Sequence, residues 1–374
     1  MTDVIGLARS LIRLDTSGSN ESFAAERLAE TLRACGMSVE LDTLDAGRAS
    51  LIARSPGCGP APITLTGHLD TVPFRAEDWD CDPLGAEIAD GRLYGRGASD
   101  MKSGVAALVV AVERHLARVG SGGPGVLLVL TAAEESGCEG ARHLLRGRSL
   151  PSGGPLLVAE PTGNRLVSGH KGALWLDVTS QGRAAHGSRP DLGVNAITPL
   201  ARLAVALADE GLPGEHAVMG PVTVNVGTIT GGTRVNLVPD HASMSVDVRT
   251  VPGCSSTMLL ARLKALAGDA ARVRVTLDVP AVYSSPDTAF ALLVAQATRD
   301  VTGEAACAAP PVTYFTDAAV LSEAMGGADT VILGPGDPEQ AHIVDESCSI
   351  DRVHQAVEIY ETVLDRWSAR GMAC

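Results

Sequence analysis

Apolar positions recur at helical spacing over residues 3–14 (Val4, Ile5, Leu7, Ala8, Leu11, Ile12, Leu14) and over 21–35, where Gly36 follows as a stop. Two amphipathic helices are therefore predicted to open the chain. Residues 37–43 and 50–53 read as strands, and 63–66 as a buried one. The run 126–131 is apolar without interruption, as in a parallel strand covered on both faces, and 156–159 and 330–333 repeat the pattern. A turn-rich stretch at 79–85 leads into a hairpin-like segment at 87–94. The spacing over 101–119 predicts a long buried helix, which would put Asp100 at its N-terminus, and further helices are predicted over 288–302 and 351–370.

The middle of the chain has another texture. Strand (173–181), helix (195–208), strand (222–230), strand (242–250), helix (255–267) and strand (273–279) follow one another, the β-α-β-β-α-β order of a ferredoxin-like domain. The expected organisation is an α/β domain with a mainly parallel sheet, built from residues 1–170 and 280–374, carrying an inserted α+β domain at 171–279.

At 374 residues the chain exceeds what one core usually serves, in keeping with two domains. Its core must be aliphatic, because only four Phe, four Tyr and three Trp are present. A net charge of -14, from 44 acidic against 30 basic residues, excludes a general affinity for nucleic acid or for an anionic membrane. The first residues lack a basic stretch followed by an apolar one, so no signal peptide is expected. No apolar run approaches the roughly 18 residues of a membrane span. The cysteines at 35, 58, 81, 138, 254, 307, 348 and 374 form no C-x-x-C pair, which points to reduced thiols and a cytoplasmic protein rather than a disulfide framework or a zinc ribbon.

Chemistry gathers where predicted strands end. His68 and Asp70, two apart after the strand at 63–66, point to one side. Asp70 could accept from the second ring nitrogen of a metal-bound His68 or stand beside the metal itself. Asp100, the pair Glu134 and Glu135, Glu160 and His342 follow at the ends of other segments, where open parallel sheets bind their ligands. Two imidazoles with carboxylates suit zinc and its neighbours rather than calcium or magnesium. Five ligands exceed one tetrahedral site and suit two ions sharing a carboxylate, with the spare carboxylate of the glutamate pair free to act as a base.

The motifs GHLDTVP, YGRGASDMKSG, AAEESG, AEPT, AHGSRP, NLVPD and GPGDPEQAH occur in this order, nearly end to end. In this the chain resembles the co-catalytic zinc amidohydrolases that include acetylornithine deacetylase, succinyl-diaminopimelate desuccinylase, aminoacylase and the glutamate carboxypeptidases, with acetylornithine deacetylase nearest in its GPG-x-x-x-QAH and HLDTVPF segments. The resemblance implies a zinc-exopeptidase-like catalytic domain with an inserted lid and dimerisation domain. It implies two divalent ions, zinc first with cobalt or manganese able to substitute, held by His68, Asp100 as the bridge, Glu135, Glu160 and His342. It further implies Asp70 behind His68, Glu134 as general base and acid, and a cis peptide after Asp100.

From the lid, the resemblance implies that His186 steadies the oxyanion, reaching the partner subunit's site in dimeric members, and that Asn236 and Arg249 contact substrate, Arg249 through its carboxylate. Thr316 and Gly334 would line the pocket. The implied reaction is hydrolysis of the amide of an N-acyl amino acid, releasing a free amine and a carboxylate, in a cytoplasmic homodimer. The alternative is a metallo-exopeptidase, a dipeptidase or carboxypeptidase acting on short peptides with the same ions. His115, His143, His170, His216, His241 and His354 fall outside the motifs and read as structural or surface residues.

Overall fold

The computed structural model describes residues 1–57, 61–119, 123–304 and 309–371. It divides into two compact units: Met1–Gly169 with Tyr283–Pro310 and Thr316–Cys374, and His170–Val282 with Pro311–Phe315. The short 311–315 segment, expected with residues 280–374 in the α/β domain, thus goes with the inserted residues.

The first unit is built on a six-stranded sheet of β1 (Ser38–Asp45), β2 (Arg48–Arg54), β3 (Ile63–His68), β4 (Val126–Thr131), β5 (Leu156–Val158) and β6 (Thr330–Ile332), in the order β1-β2-β4-β3-β5-β6. β4, β3, β5 and β6 run parallel, while β1 and β2 add an antiparallel edge. β3, β4, β5 and β6 are buried at every position, which is why β4, β5 and β6 read as apolar runs, while β3 buries Thr64, Thr66 and His68 among its apolar residues. One aliphatic core joins this sheet to helices Val4–Ile12, Glu21–Ala34, Ser103–Val119, Ala289–Thr302 and Ile350–Gly371. The register sets His68 beside Thr131 and Thr66 beside Val158, so the chain leaves β3, β4 and β5 at one common edge.

The long helix starts at Ser103, later than periodicity predicts. Asp100 (φ -121°, ψ 94°) and Met101 (φ -135°, ψ 32°) are non-helical, and the Asp100–Met101 peptide is cis. The reason is local hydrogen bonding: the N–H groups of Gly97, Ser99 and Asp100 donate to the carboxylate of Glu346 instead of entering a helix.

The second unit carries a four-stranded antiparallel sheet in the order Thr223–Gly231, His241–Thr250, Gly172–Gln181, Ala271–Val279, the ferredoxin-like arrangement. Helices Ile197–Glu210 and Ser256–Ala267 cover one face, burying Leu200, Leu203, Leu207, Leu259 and Leu263 against Leu174, Leu176, Val178, Met244, Val246 and Val248. Alternation then leaves Trp175, Asp177, Asp247 and Arg249 on the opposite face. Cys35, Cys81, Cys138, Cys254 and Cys348 are free thiols, while Cys58, Cys307 and Cys374 lie outside the described residues. Among the described residues, no helix is long and apolar enough to cross a membrane.

Candidate metal centre

His68, the last residue of β3, is buried, and its Nε2 lies 3.0 Å from Asp100 Oδ1 and 3.9 Å from Glu160 Oε1. The other Asp100 oxygen, Oδ2, lies 3.4 Å from His342 Nε2, which is also 3.0 Å from Glu135 Oε1. Asp100 therefore turns one oxygen to each imidazole, the disposition expected of a carboxylate shared between two ions. Ligand atoms of His68, Asp100 and Glu135 all lie within 4.8 Å of one another. The structure brings together His68, Asp100, Glu135, Glu160 and His342, and two imidazoles with three carboxylates fit divalent ions of the zinc type.

Asp70 is buried behind this group. Its backbone carbonyl is 3.0 Å from His68 Nδ1, and its carboxylate accepts from the N–H groups of Glu134 and Glu135, each at 3.1 Å. One residue thus orients the His68 ring and the glutamate pair together. Glu134 is buried, and its Oε1 has no hydrogen-bond partner among the described residues.

Charge crowding governs protonation here. Burial raises the carboxyls of Glu134 and Glu160 well above the usual range, with Glu160 and Asp317 adding to the effect at Glu134 and Asp100 adding to it at Glu160. Burial also raises Glu135, against the hydrogen bond from His342. At Asp100 burial is outweighed by hydrogen bonds from His342 and His68, and its carboxyl stays ionised far below the usual range. Hydrogen bonds to Asp100 and Glu135 raise His342 to about 10. His68 rises well above its ordinary value because Asp100 and Glu160 overcome the burial penalty. An anionic cluster that holds protons on its imidazoles is one whose protons a cation can displace.

The two residues expected to line the pocket are occupied by backbone work. Thr316 is fully buried, and its Oγ1 accepts from Ala318 N–H at 3.1 Å. Gly334 packs so tightly that a Cβ would lie 2.2 Å from Ala159 O and 2.5 Å from Glu160 O. Gly336 meets the other ligand loop in the same way, with Ser99 O 2.2 Å from a built Cβ.

In the second unit the chain around His186 pairs with that around Asn236: Gly187 N donates to Asn236 O and Val238 N to Ala185 O, both at 2.8 Å. Both side chains are exposed. His186 Nδ1 accepts from Ser188 N–H at 3.2 Å, which in the neutral ring assigns the proton to Nε2. Arg249 is engaged by its own strand, with Nε 3.1 Å from Asp247 Oδ2.

Two residues of the site escape motif reasoning. Asp317 is buried beside the glutamate pair, hydrogen-bonded to Thr131 and Cys138, and burial raises its carboxyl to about 6. Glu346 is buried beneath the Asp100 loop. Each adjoins or closely follows a predicted residue, Thr316 or His342, and proximity was the one signal available.

The chain matches Peptidase family M20/M25/M40 over residues 64–366. It is 33% identical to the succinyl-diaminopimelate desuccinylase of Methylorubrum populi, over 97% of this chain and 98% of that protein. Among solved structures, it is similar to an M20 family metallo-carboxypeptidase from Sulfolobus solfataricus, with a TM-score of 0.80 at 19% identity over 99% of this chain and 100% of that one. It is also similar to a dinuclear metal-binding peptidase of the M20 family from Bacillus subtilis, with a TM-score of 0.74 at 16% identity over 98% of each chain. These two likenesses bear on the fold.

Proposed function

Because the chain belongs to peptidase family M20/M25/M40, whose members hydrolyse amide bonds, we propose that it is a two-metal deacylase of N-acyl amino acids. The observation that carries the reading is Asp100 set between His68 and the half-exposed His342, with Glu135 and Glu160 beside them and the buried Glu134, whose Oε1 has no hydrogen-bond partner among the described residues, next to Glu135. His68, Asp100 and Glu160 would hold one ion, and Asp100, Glu135 and His342 the other, zinc in preference to cobalt or manganese. The ions supply Lewis acidity, lowering the pKa of water and polarising the scissile carbonyl.

The protein's own groups do the rest. Glu134 takes a proton from the attacking water, whose oxygen adds to the carbonyl carbon. It then returns that proton to the nitrogen as the C–N bond breaks, giving a free amine and a carboxylate. Asp70 keeps the base in place through the two N–H groups it accepts. His186, with its proton on Nε2, is assigned as a donor to the oxyanion. Asn236 and Arg249 are assigned to substrate, and Arg249 must exchange Asp247 for the substrate carboxylate. Thr316 and Gly334 are assigned to the pocket wall through the loops they support.

Deacylation is preferred to peptide hydrolysis because a relative one-third identical along nearly the whole chain bears a desuccinylase name. The acyl group is therefore tested as succinyl as well as acetyl, in parallel with dipeptides and tripeptides. Turnover of peptides alone would favour the exopeptidase. Glu134→Gln is expected to keep both ions while turnover falls by about 100- to 10,000-fold. Full activity in that variant, measured with metal content, would remove Glu134 from its role. The free thiols fit a cytoplasmic setting.

A further inference from the structure

Glu346 follows His342 by four residues and is fully buried in the first unit. Its Oε2 accepts from Arg96 Nη1 at 2.7 Å and Gly97 N at 2.9 Å, and its Oε1 from Ser99 N at 2.7 Å and Asp100 N at 2.9 Å. Its backbone carbonyl accepts from Gly95 N at 2.9 Å. Three convergent backbone N–H groups form the kind of concavity that binds anions, filled here by the protein's own carboxylate. Arg96 is itself fixed, with its guanidinium 5.1 Å over the ring of Trp79.

The ligands differ in what holds them. His68 ends β3, and Glu160 stands two residues past β5, both adjacent strands of the main sheet. Asp100 and His342 sit on loops, in non-helical and left-handed backbone respectively (Asp100 φ -121°, His342 φ 65°). Glu346 joins those two loops directly, because its side chain grips the Asp100 peptide and its main chain continues to His342. We propose that Glu346 is a positioning residue that sets Asp100 against His342 and thereby governs the affinity of the second ion, the one shared by Asp100, Glu135 and His342. The proposal rests on the two-ion reading above.

The test titrates cobalt(II) into chelator-stripped protein, following heat and visible d–d absorption, with circular dichroism to confirm folding. Wild type is expected to take up two ions. Glu346→Gln keeps the shape but turns an NH₂ toward N–H donors, and should weaken the second ion by about 10- to 100-fold while changing the first far less. Arg96→Met keeps the carboxylate and its three backbone contacts, and should weaken the same ion to a smaller degree. Unchanged second-ion affinity in Glu346→Gln, or equal weakening of both ions, would overturn the role of Glu346. Should Glu346→Gln fail to fold, Arg96→Met decides alone, and unaltered second-ion affinity there overturns the proposal. A wild-type protein that binds a single ion overturns the two-ion reading and this inference with it.

Discussion

A carboxylate whose oxygens both accept backbone N–H groups is committed to holding structure, whereas one left with a bare oxygen keeps a lone pair for chemistry. By that criterion Asp70 and Glu346 belong to the first kind and Glu134 to the second, although all three are buried within the same unit. The same accounting applies to His170, which is fully buried: Nδ1 is 2.8 Å from Lys171 O, and Nε2 has no partner among the described residues. Burial lowers its pKa to about 4, so between about pH 4 and 6.5 the unfolded chain binds a proton that the folded one refuses. The contribution of His170 to stability is thus complete above about pH 6.5 and is lost as pH drops toward 4, by about 3 kcal/mol in all. His170→Asn should flatten this slope in urea unfolding series across that window. An equal slope in both proteins would assign the acid sensitivity to other groups.

At the level of elements, what holds the ligands in place is close packing between the loops that carry them. Gly334 lies against the backbone of Ala159 and Glu160, and Gly336 against that of Ser99, so the GPG segment wedges between the loops of two proposed ligands. Gly334→Ala is expected to cost about 1–3 kcal/mol in stability through overpacking and to weaken the ion held by Glu160. Gly336→Ala should act on the Asp100 loop instead. Thermal unfolding and metal titration of both variants check this, and unchanged metal affinity in the two together would show the wedge to be dispensable. Strands β4, β5 and β6 were legible in the sequence because burial on both faces demands continuous apolar runs, and the inserted domain because its elements alternate clearly. The start of the long helix was not, because Glu346, more than 240 residues away, captures the N–H groups of Gly97, Ser99 and Asp100. Asp317 and Glu346 stayed hidden for a related reason: a lone acidic residue reads as solvated until the fold buries it. Arg249 was legible as a strand-end arginine, but its engagement with Asp247 depends on their shared face.

For the whole molecule, the inserted sheet leaves Thr223–Gly231 as an outer strand, paired on one side only among the described residues. Ile229 pairs with Met244 on the face the helices cover, yet remains 47% exposed, and Val205 on the neighbouring helix is 60% exposed. An open strand flanked by bare aliphatic side chains is a liability in a monomer, and a second copy of the same edge would satisfy both its hydrogen bonds and its apolar surface. The net charge of -14 opposes indiscriminate association, which favours a specific, closed pairing such as a two-fold one. A homodimer of about 77 kDa, twice 38.4 kDa, is therefore expected by light scattering. Ile229→Lys, an exposed substitution that should alter monomer stability by no more than about 0.5 kcal/mol, is expected to shift that mass toward the monomer. A wild-type mass near 38.4 kDa would refute pairing through this edge, and a dimer undisturbed by Ile229→Lys would move the interface elsewhere on the chain.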